Sequence, residues 1–389
     1  MGGFSGILPF CAPYPLTLRD MEYTKLTYLC AVNRVFGFDC MRASKFVDSF
    51  PEPESLMRLN DSQITEGFSP VIRERVWILR KKETMSLAAL DVKRCDNEGV
   101  RIYCRGDASY PRRLSQIPDS PVVFYVQGRC DLDSPRVLAV VGTRHSSAYA
   151  EQRCREVIAH LASLDPLPLI VSGFASGIDI CAHMAAVEFG LPTVGVLGTS
   201  IDYTYPATNA CYRERIVASG GLLSEFPWGC RGEKTNFVMR NRLIAGLSDA
   251  TFLVESAIKG GGLITARFAA DYNRDVFALP GRVTDEYFRG CNSLIASNVA
   301  ALVENASTIS FAMGWEKRPR SSSLRKKLIC DTDSAEEKKI LLALSSEKTM
   351  KLEQLVVATH LAAPVLMAVL TKLEMDKRVI SDLFGNYSV

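Results

Sequence analysis

The glycines in the middle of the chain fall where a bound anion needs backbone N–H groups. Gly142-Thr143-Arg144 follows the apolar run Val137–Val141, and Gly173-Phe174-Ala175-Ser176-Gly177 follows Leu169–Ser172. Gly198 follows Thr193–Leu197, and Gly260-Gly261-Gly262 comes shortly after Thr251–Val254. Short apolar runs of this kind read as strands buried in a parallel sheet. A glycine turn leading from each strand into a helix gathers unpaired N–H groups and positive dipole ends at one edge of that sheet. Such a rim suits anions, typically phosphates.

Cations and a ring accompany those turns. Arg144 sits in the first, Lys259 beside the triple glycine, and the segment Lys234-Thr235-Asn236-Phe237-Val238-Met239-Arg240-Asn241-Arg242 joins three cations to one aromatic side chain. Phosphate contacts by Arg and Lys, plus a ring on which a base stacks, are the ingredients of sequence-tolerant single-strand binding. The same spacing also fits a structural reading, with Phe237 in the core and Arg240 paired to an acid such as Glu255. Spacing alone leaves both open. Thr265, just past the glycines, reads as a helix cap or a phosphate hydroxyl.

Several chemistries are excluded by absence of their residues. No turn spells Gly-x-Gly-x-x-Gly or Gly-x-x-x-x-Gly-Lys-Ser/Thr, so the dinucleotide and P-loop fingerprints are missing, and with them any expected cofactor. A Gly-x-Ser-x-Gly nucleophile elbow is missing too. His145, His160, His183 and His360 form no zinc pattern, and the 12 cysteines, scattered from Cys11 to Cys330, contain no Cys-x-x-Cys pair. No metal is expected, and reduced thiols in a cytoplasm are. Asp179 and His183, four apart at a helix start, read as structural groups rather than an acid–base pair, and Asp202, Tyr203 and Tyr205 as shapers of a loop.

The elements that must position these residues follow from periodicity and length. At 389 residues, 47% hydrophobic and 23% charged with a net charge of +3, the chain is expected to be soluble and to fold as two or three domains. No run reaches the ~18 apolar residues of a membrane span, and Met1 to Leu18, broken by Pro9, Pro13 and Pro15, is not expected to be a secretory signal. Helical spacing between Thr24 and Lys82 predicts four or five short helices, after which Val122 to Val126 is expected to join the sheet. From Val137 to Phe311 strands, further ones at Leu222–Ser224 and Val276–Leu279, alternate with helices such as Ala148–Leu164 and Ile178–Phe189. This predicts an α/β doubly wound, mainly parallel sheet. Residues 316–327 read as a basic, serine-rich tether, and Ala335–Leu344, Lys351–Thr359 and Pro364–Asp376 as three helices before a ribbon from Val379 to Val389 with a turn at Gly385, a winged-helix pattern.

Six ordered motifs over the central stretch resemble the DNA-processing A (DprA/Smf) family. They are Val141-Gly142-Thr143-Arg144; Ser172 to Asp179 with Ala182-His183; Asp202-Tyr203-Thr204-Tyr205-Pro206; Arg240 to Ser248; Gly261 to Ala266; and Ala278 to Gly281 followed by Gly290 to Ile295. The resemblance implies a Rossmann-like domain at 96–314, a helical sterile-alpha-motif-like module at 1–95, a basic linker at 315–334 and a winged-helix-like module at 335–389. It implies a non-enzymatic protein that binds single-stranded DNA, forms a homodimer, and loads the RecA recombinase during natural transformation, with no membrane partner. Gly142, Thr143 and Arg144 would form one wall of the DNA site. Lys234, Phe237, Arg240, Asn241 and Arg242 would form the second, with Lys259, Gly261, Gly262 and Thr265 beside them. Two positions depart from the family's pattern: Ala207 follows Tyr-Pro where lysine is common, and Gly260 and Gly262 replace serines. The alternative, a phosphoribohydrolase-like nucleotide-cleaving enzyme, needs an Arg and a Glu at a Pro-Gly-Gly-x-Gly-Thr motif, and Lys259-Gly260-Gly261-Gly262-Leu263 lacks it.

Overall fold

Runs of Val, Leu and Ile that are apolar on both faces can be satisfied only inside a sheet covered twice over, and the strand Val137–Val141 is buried at all five of its residues. The computed structural model describes residues 24–315, 334–346, 349–376, 378–381 and 385–388. The leader expectation for residues 1–18, the basic tether at 316–327, Cys11 and Cys330 lie outside the described residues.

Six helices come first: α1 (Lys25–Phe36), α2 (Cys40–Ser49), α3 (Pro53–Met57), α4 (Asp61–Gly67), α5 (Pro70–Leu79) and α6 (Lys82–Asn97). Their ends are set by local chemistry. The Thr24 hydroxyl accepts from Thr27 N at the start of α1, and Asn60 and Gln63 form a reciprocal capping box on α4. Strand β1 (Arg101–Cys104), helix α7 (Arg112–Ser115) and strand β2 (Val123–Gly128) lead into the alternating part. There β3 (Val137–Val141), α8 (Ala148–Leu161), β4 (Leu169–Ser172), α9 (Ile178–Phe189), β5 (Thr193–Val196), α10 (Ala210–Ser219) and β6 (Gly220–Ser224) succeed one another. They are followed by α11 (Lys234–Leu247), β7 (Ala250–Leu253), α12 (Gly261–Asp271), β8 (Asp275–Ala278), α13 (Arg289–Ala296), β9 (Ala301–Leu302) and α14 (Thr308–Ala312).

The nine strands form one sheet in the order β1-β2-β6-β5-β4-β3-β7-β8-β9. Pairing is parallel from β6 through to β9, while β2 lies antiparallel to β6 and β1 antiparallel to β2. The chain therefore winds outward from β3 in one direction and from β7 in the other. The switch between β3 and β7 opens a crevice at the carboxyl ends of the strands, which is where ligands bind in doubly wound sheets. The α/β, mainly parallel architecture expected from periodicity is the one observed.

Helices α1 to α6 do not close a core by themselves. Tyr28, Val32, Phe36, Leu56 and Ile64 share one apolar cluster with Val123, Tyr125, Leu197 and Leu222 of the sheet layer. A boundary at residue 95 would fall inside α6, and residues 24–315 form one compact unit.

A second unit covers the described residues from 334 onward. Helices Ala335–Ser346, Leu352–Thr359 and Ala363–Met375 enclose Ile340, Leu344, Leu355, Leu366, Leu370 and Leu373, beside a three-stranded antiparallel ribbon of Met350–Lys351, Asn386–Ser388 and Ile380–Ser381. Among the described residues no single helix is long and apolar enough to cross a membrane.

Candidate nucleic-acid interface

The two glycine turns flanking the switch point touch. A Cβ on Gly262 would stand 2.7 Å from Leu253 Cδ1 and 3.3 Å from Gly142 Cα, so the start of α12 seats directly on the β3 turn. On the other side Gly177, at φ +77°, lets α9 begin where a Cβ would lie 2.3 Å from the Thr143 carbonyl oxygen. Backbone bonds then fix the turn: Thr143 N donates to the Glu255 carbonyl at 2.8 Å and Ile178 N to the Thr143 carbonyl at 3.2 Å. The Glu255 carboxylate accepts from Ser147 N at 2.8 Å. With its backbone held from three sides, Arg144 projects into solvent and is exposed.

Helix α11 supplies the facing wall. Phe237 is half-buried over Gly198, where a Cβ would come within 2.5 Å of the ring. The guanidinium carbon of Arg144 lies 6.0 Å from the centre of the Phe237 ring, inside cation–π range. The Tyr205 ring, 45% exposed, packs on the same ring at 5.0 Å between centroids and 45° between planes. Lys234 is exposed one turn earlier on α11, on the Phe237 face. A cation in the first turn opposes the helix dipole, so helix stability does not account for it. Lys259 and Gly261 are exposed at the β7 turn and Asn241 is half-buried.

Four of the expected contacts are not at the surface, the first being Gly262, which is buried against Leu253 and the β3 turn. Arg240 is 4% exposed and donates to the carbonyls of Gly173 and Val196 and, through Nε, to Asn241 Oδ1 at 3.3 Å. It does not pair with Glu255. Burial lowers its pKa to about 10, with Asp179 opposing that shift and Arg144 adding to it. Arg240 is thus held inside the protein by the carbonyls at the ends of β4 and β5 rather than presented at the surface. Arg242, two residues on and so on another face of α11, is 0% exposed. It is paired with Glu225, lies 3.8 Å from Asp119 Oδ2, and donates to Cys40 Sγ at 3.1 Å. The expectation that Arg242 contacts phosphate is corrected: this guanidinium ties Cys40 at the start of α2 to Glu225, just after β6, inside the protein. Thr265 is 1% exposed, at the fifth position of α12, and serves neither as cap nor as a surface hydroxyl.

Asp179 and His183 are also internal. Asp179 accepts from Ala175 N at 3.2 Å, and burial raises its pKa against the attraction of Arg240. His183 shares a 2.7 Å hydrogen bond between Nδ1 and Thr193 Oγ1, and burial lowers its pKa to about 3. Among the described residues no group of three His, Cys, Asp or Glu side chains is placed to hold a metal. The structure therefore gathers Gly142, Thr143, Arg144 and Gly261 at the switch point, with Gly262 buried beneath it, Phe237 over the β5 turn within reach of Arg144, and Lys234 and Lys259 exposed on the flanks. Tyr205, expected only to shape a loop, stands exposed against the Phe237 ring and joins them. An exposed aromatic at the carboxyl edge was the available signal.

Comparison with known proteins bears on the same stretch. Residues 101–314 match the family model of DNA recombination-mediator protein A, and residues 329–382 that of the DprA winged helix domain. Protein Smf from Synechocystis is 39% identical over 201 residues, which is 51% of this chain and 50% of that protein, so the chain spans about half the length of this relative. DNA processing protein A from Streptococcus pneumoniae superposes with a TM-score of 0.59 at 29% identity, over 77% of this chain and all of that one. DNA processing protein A from Helicobacter pylori, described for its single-stranded DNA binding mode, superposes with a TM-score of 0.50 at 28% identity over 56% of this chain and 98% of its own. The family model spans more than half of the 389 residues, including the crevice and every strand of the sheet: the chain belongs to the family of DNA recombination-mediator protein A.

Proposed function

We propose that this chain binds single-stranded DNA at the carboxyl edge of its sheet, as a recombination mediator without a catalytic centre of its own. The observation that carries this reading is the pairing of an exposed guanidinium, Arg144, with a half-buried ring, Phe237, at the carboxyl edge of the sheet. Among the described residues Arg144, Lys234 and Lys259 form no ion pair, so their charge is available to phosphates. The open N-terminus of α12 at the exposed Gly261 adds amide donors. The ring and the Tyr205 beside it offer π-faces that any base can use. Asp179 and His183, buried and hydrogen-bonded, support a binding role over a hydrolytic one.

Family membership further supports a homodimer acting in the cytoplasm and delivering strands to the RecA recombinase, with the winged-helix unit as an accessory rather than a DNA reader. The described part of that unit's helix Ala363–Met375 exposes Val365, Met367 and Met375, and its one lysine, Lys372, bonds Glu337 at 2.6 Å. A strand-exchange assay with RecA tests the mediator role. The protein shortens the lag on single strands and Arg144→Ala does not; equal lags with and without the wild-type protein contradict it.

A further inference from the structure

The carboxyl edge does not end at Lys259. Beyond β7 the next strand is β8, and the loop that leaves it, residues 279–288, carries Val283 at 89% exposure and Tyr287 at 53%. This loop is tied down rather than loose. Asn292 Oδ1 accepts from Gly281 N at 3.1 Å and its Nδ2 donates to the Gly281 carbonyl at 3.0 Å, while Gly290 N donates to the Ser256 carbonyl at 2.8 Å. Phe288 is buried under the loop and meets Tyr149, at the start of α8, edge-on at 5.9 Å. Tyr149 remains 49% exposed. Two rings thus stand open on a rigid base beside the turn that holds Lys259.

Arg282 and Arg289 flank Tyr287, both are exposed, and among the described residues neither forms an ion pair. The acids of the same loop are Asp285 and Glu286. Asp285 is engaged in accepting from Tyr287 N at 3.0 Å, and Glu286 is exposed. With Lys259 the local balance of cations over acids is three to two. An exposed aromatic between two unpaired arginines, on a loop tied through Gly290 and Ser256 to the β7 turn, repeats the composition of the Arg144–Phe237 station.

We propose that the β8 loop is a second base-stacking station, at which Tyr287 takes a base and Arg282 and Arg289 take the adjoining phosphates of the same strand. This rests on the single-strand reading of the crevice and extends it. From β5, whose turn underlies Phe237, to β8 is four strand spacings of roughly 4.8 Å, about 19 Å in all. A strand whose stacked bases rise about 3.4 Å each covers that span with several nucleotides. A short oligonucleotide therefore occupies one station at a time, with the crevice always available to it, and a long one occupies both.

The test measures affinity of the full chain for oligothymidylates of about four and about 20 nucleotides, spanning the site sizes usual for such grooves. Tyr287→Ala leaves the short probe unchanged and weakens the long one by about 5-fold or more, the fold-change that loss of one stacked base produces. Tyr287→Phe, which keeps the ring, restores it. Arg144→Ala weakens both probes. An unchanged long-probe affinity in Tyr287→Ala overturns the second station while leaving the crevice intact. A loss shared by both probes also overturns it, since that marks a general disturbance. Wild-type protein that binds neither probe removes the crevice reading and this one together.

Discussion

The guanidinium of Arg144 and the ring of Phe237 face each other at 6.0 Å although one belongs to the β3 turn and the other to the second turn of α11. The sheet order brings them together, because β5, β4 and β3 are neighbours and α11, the crossover from β6 to β7, packs on all three. A charge that can hold a phosphate and a face that can hold a base are thereby presented side by side. Gly198 and Gly142 are the positions that leave room for this, under Phe237 and against Ile178.

Replacing Phe237 with alanine removes the stacking face and no charge. Single-strand affinity falls by about 1 to 3 kcal/mol while the salt slope stays near that of the wild type. Isothermal titration over a salt series reads both quantities. A large fall in thermal stability with unchanged affinity of the folded fraction assigns the ring to packing instead.

Arg242→Ala leaves Glu225, just after β6, buried and unpaired. Destabilisation of about 3 to 5 kcal/mol is expected in chemical denaturation, as for other broken buried pairs. The salt slope of DNA binding, measured below the unfolding transition, does not change, because this side chain is 0% exposed. The double replacement Arg242→Met with Glu225→Leu recovers most of the stability.

Periodicity located the central strands because they are apolar on both faces, and β3, β4 and α9 occupy the spans expected from the sequence, whereas the edge strands β1 and β9, which carry exposed residues, gave no such signal. Helix α11 was not legible as a helix. Its buried face includes Asn236, Arg240 and Arg242, polar residues that break the apolar period. The partners that allow their burial, Glu225 and the carbonyls of Gly173 and Val196, come from distant strands. The same cause explains why Arg242 read as a phosphate ligand: in sequence an arginine beside Arg240 looks like a surface cation, and only tertiary structure shows the acid facing it. Tyr205 was passed over for the converse reason, since nothing local to Tyr-Pro indicates the ring of Phe237 5.0 Å away.

His183 gives the fold a pH dependence with a definite sign. Its folded pKa is lowered by burial to about 3 from 6.5, so below pH 6.5 the unfolded chain takes a proton that the native protein refuses. The stability it contributes is complete above about pH 6.5 and declines toward pH 3, by up to about 1.4 kcal/mol per pH unit. Asp91, raised to about 6 by burial, and the raised Asp179 and Glu225 act in the opposite direction as pH falls. Comparison with His183→Gln isolates the histidine. The stability advantage of the wild type shrinks between pH 7 and pH 4, and a constant difference contradicts the assignment.

The winged-helix unit has its own core, so it can be removed without opening the sheet domain. A chain ending near residue 316 keeps most of its single-strand affinity, and one ending near residue 329 restores whatever the six cations between Lys317 and Lys327 add. A tenfold or greater loss in the longer of the two, relative to the full chain, assigns DNA contact to the unit.

The most direct measurement is equilibrium binding of fluorescent single-stranded and double-stranded oligonucleotides of one length, over a salt series, to the wild type and Arg144→Ala. The crevice predicts preference for the single strand, because only unpaired bases can reach Phe237 and Tyr205. It also predicts a salt slope that falls by about one unit in Arg144→Ala. Equal affinity for both forms, or an unaltered slope in the folded variant, contradicts the assignment of the DNA site to this edge of the sheet.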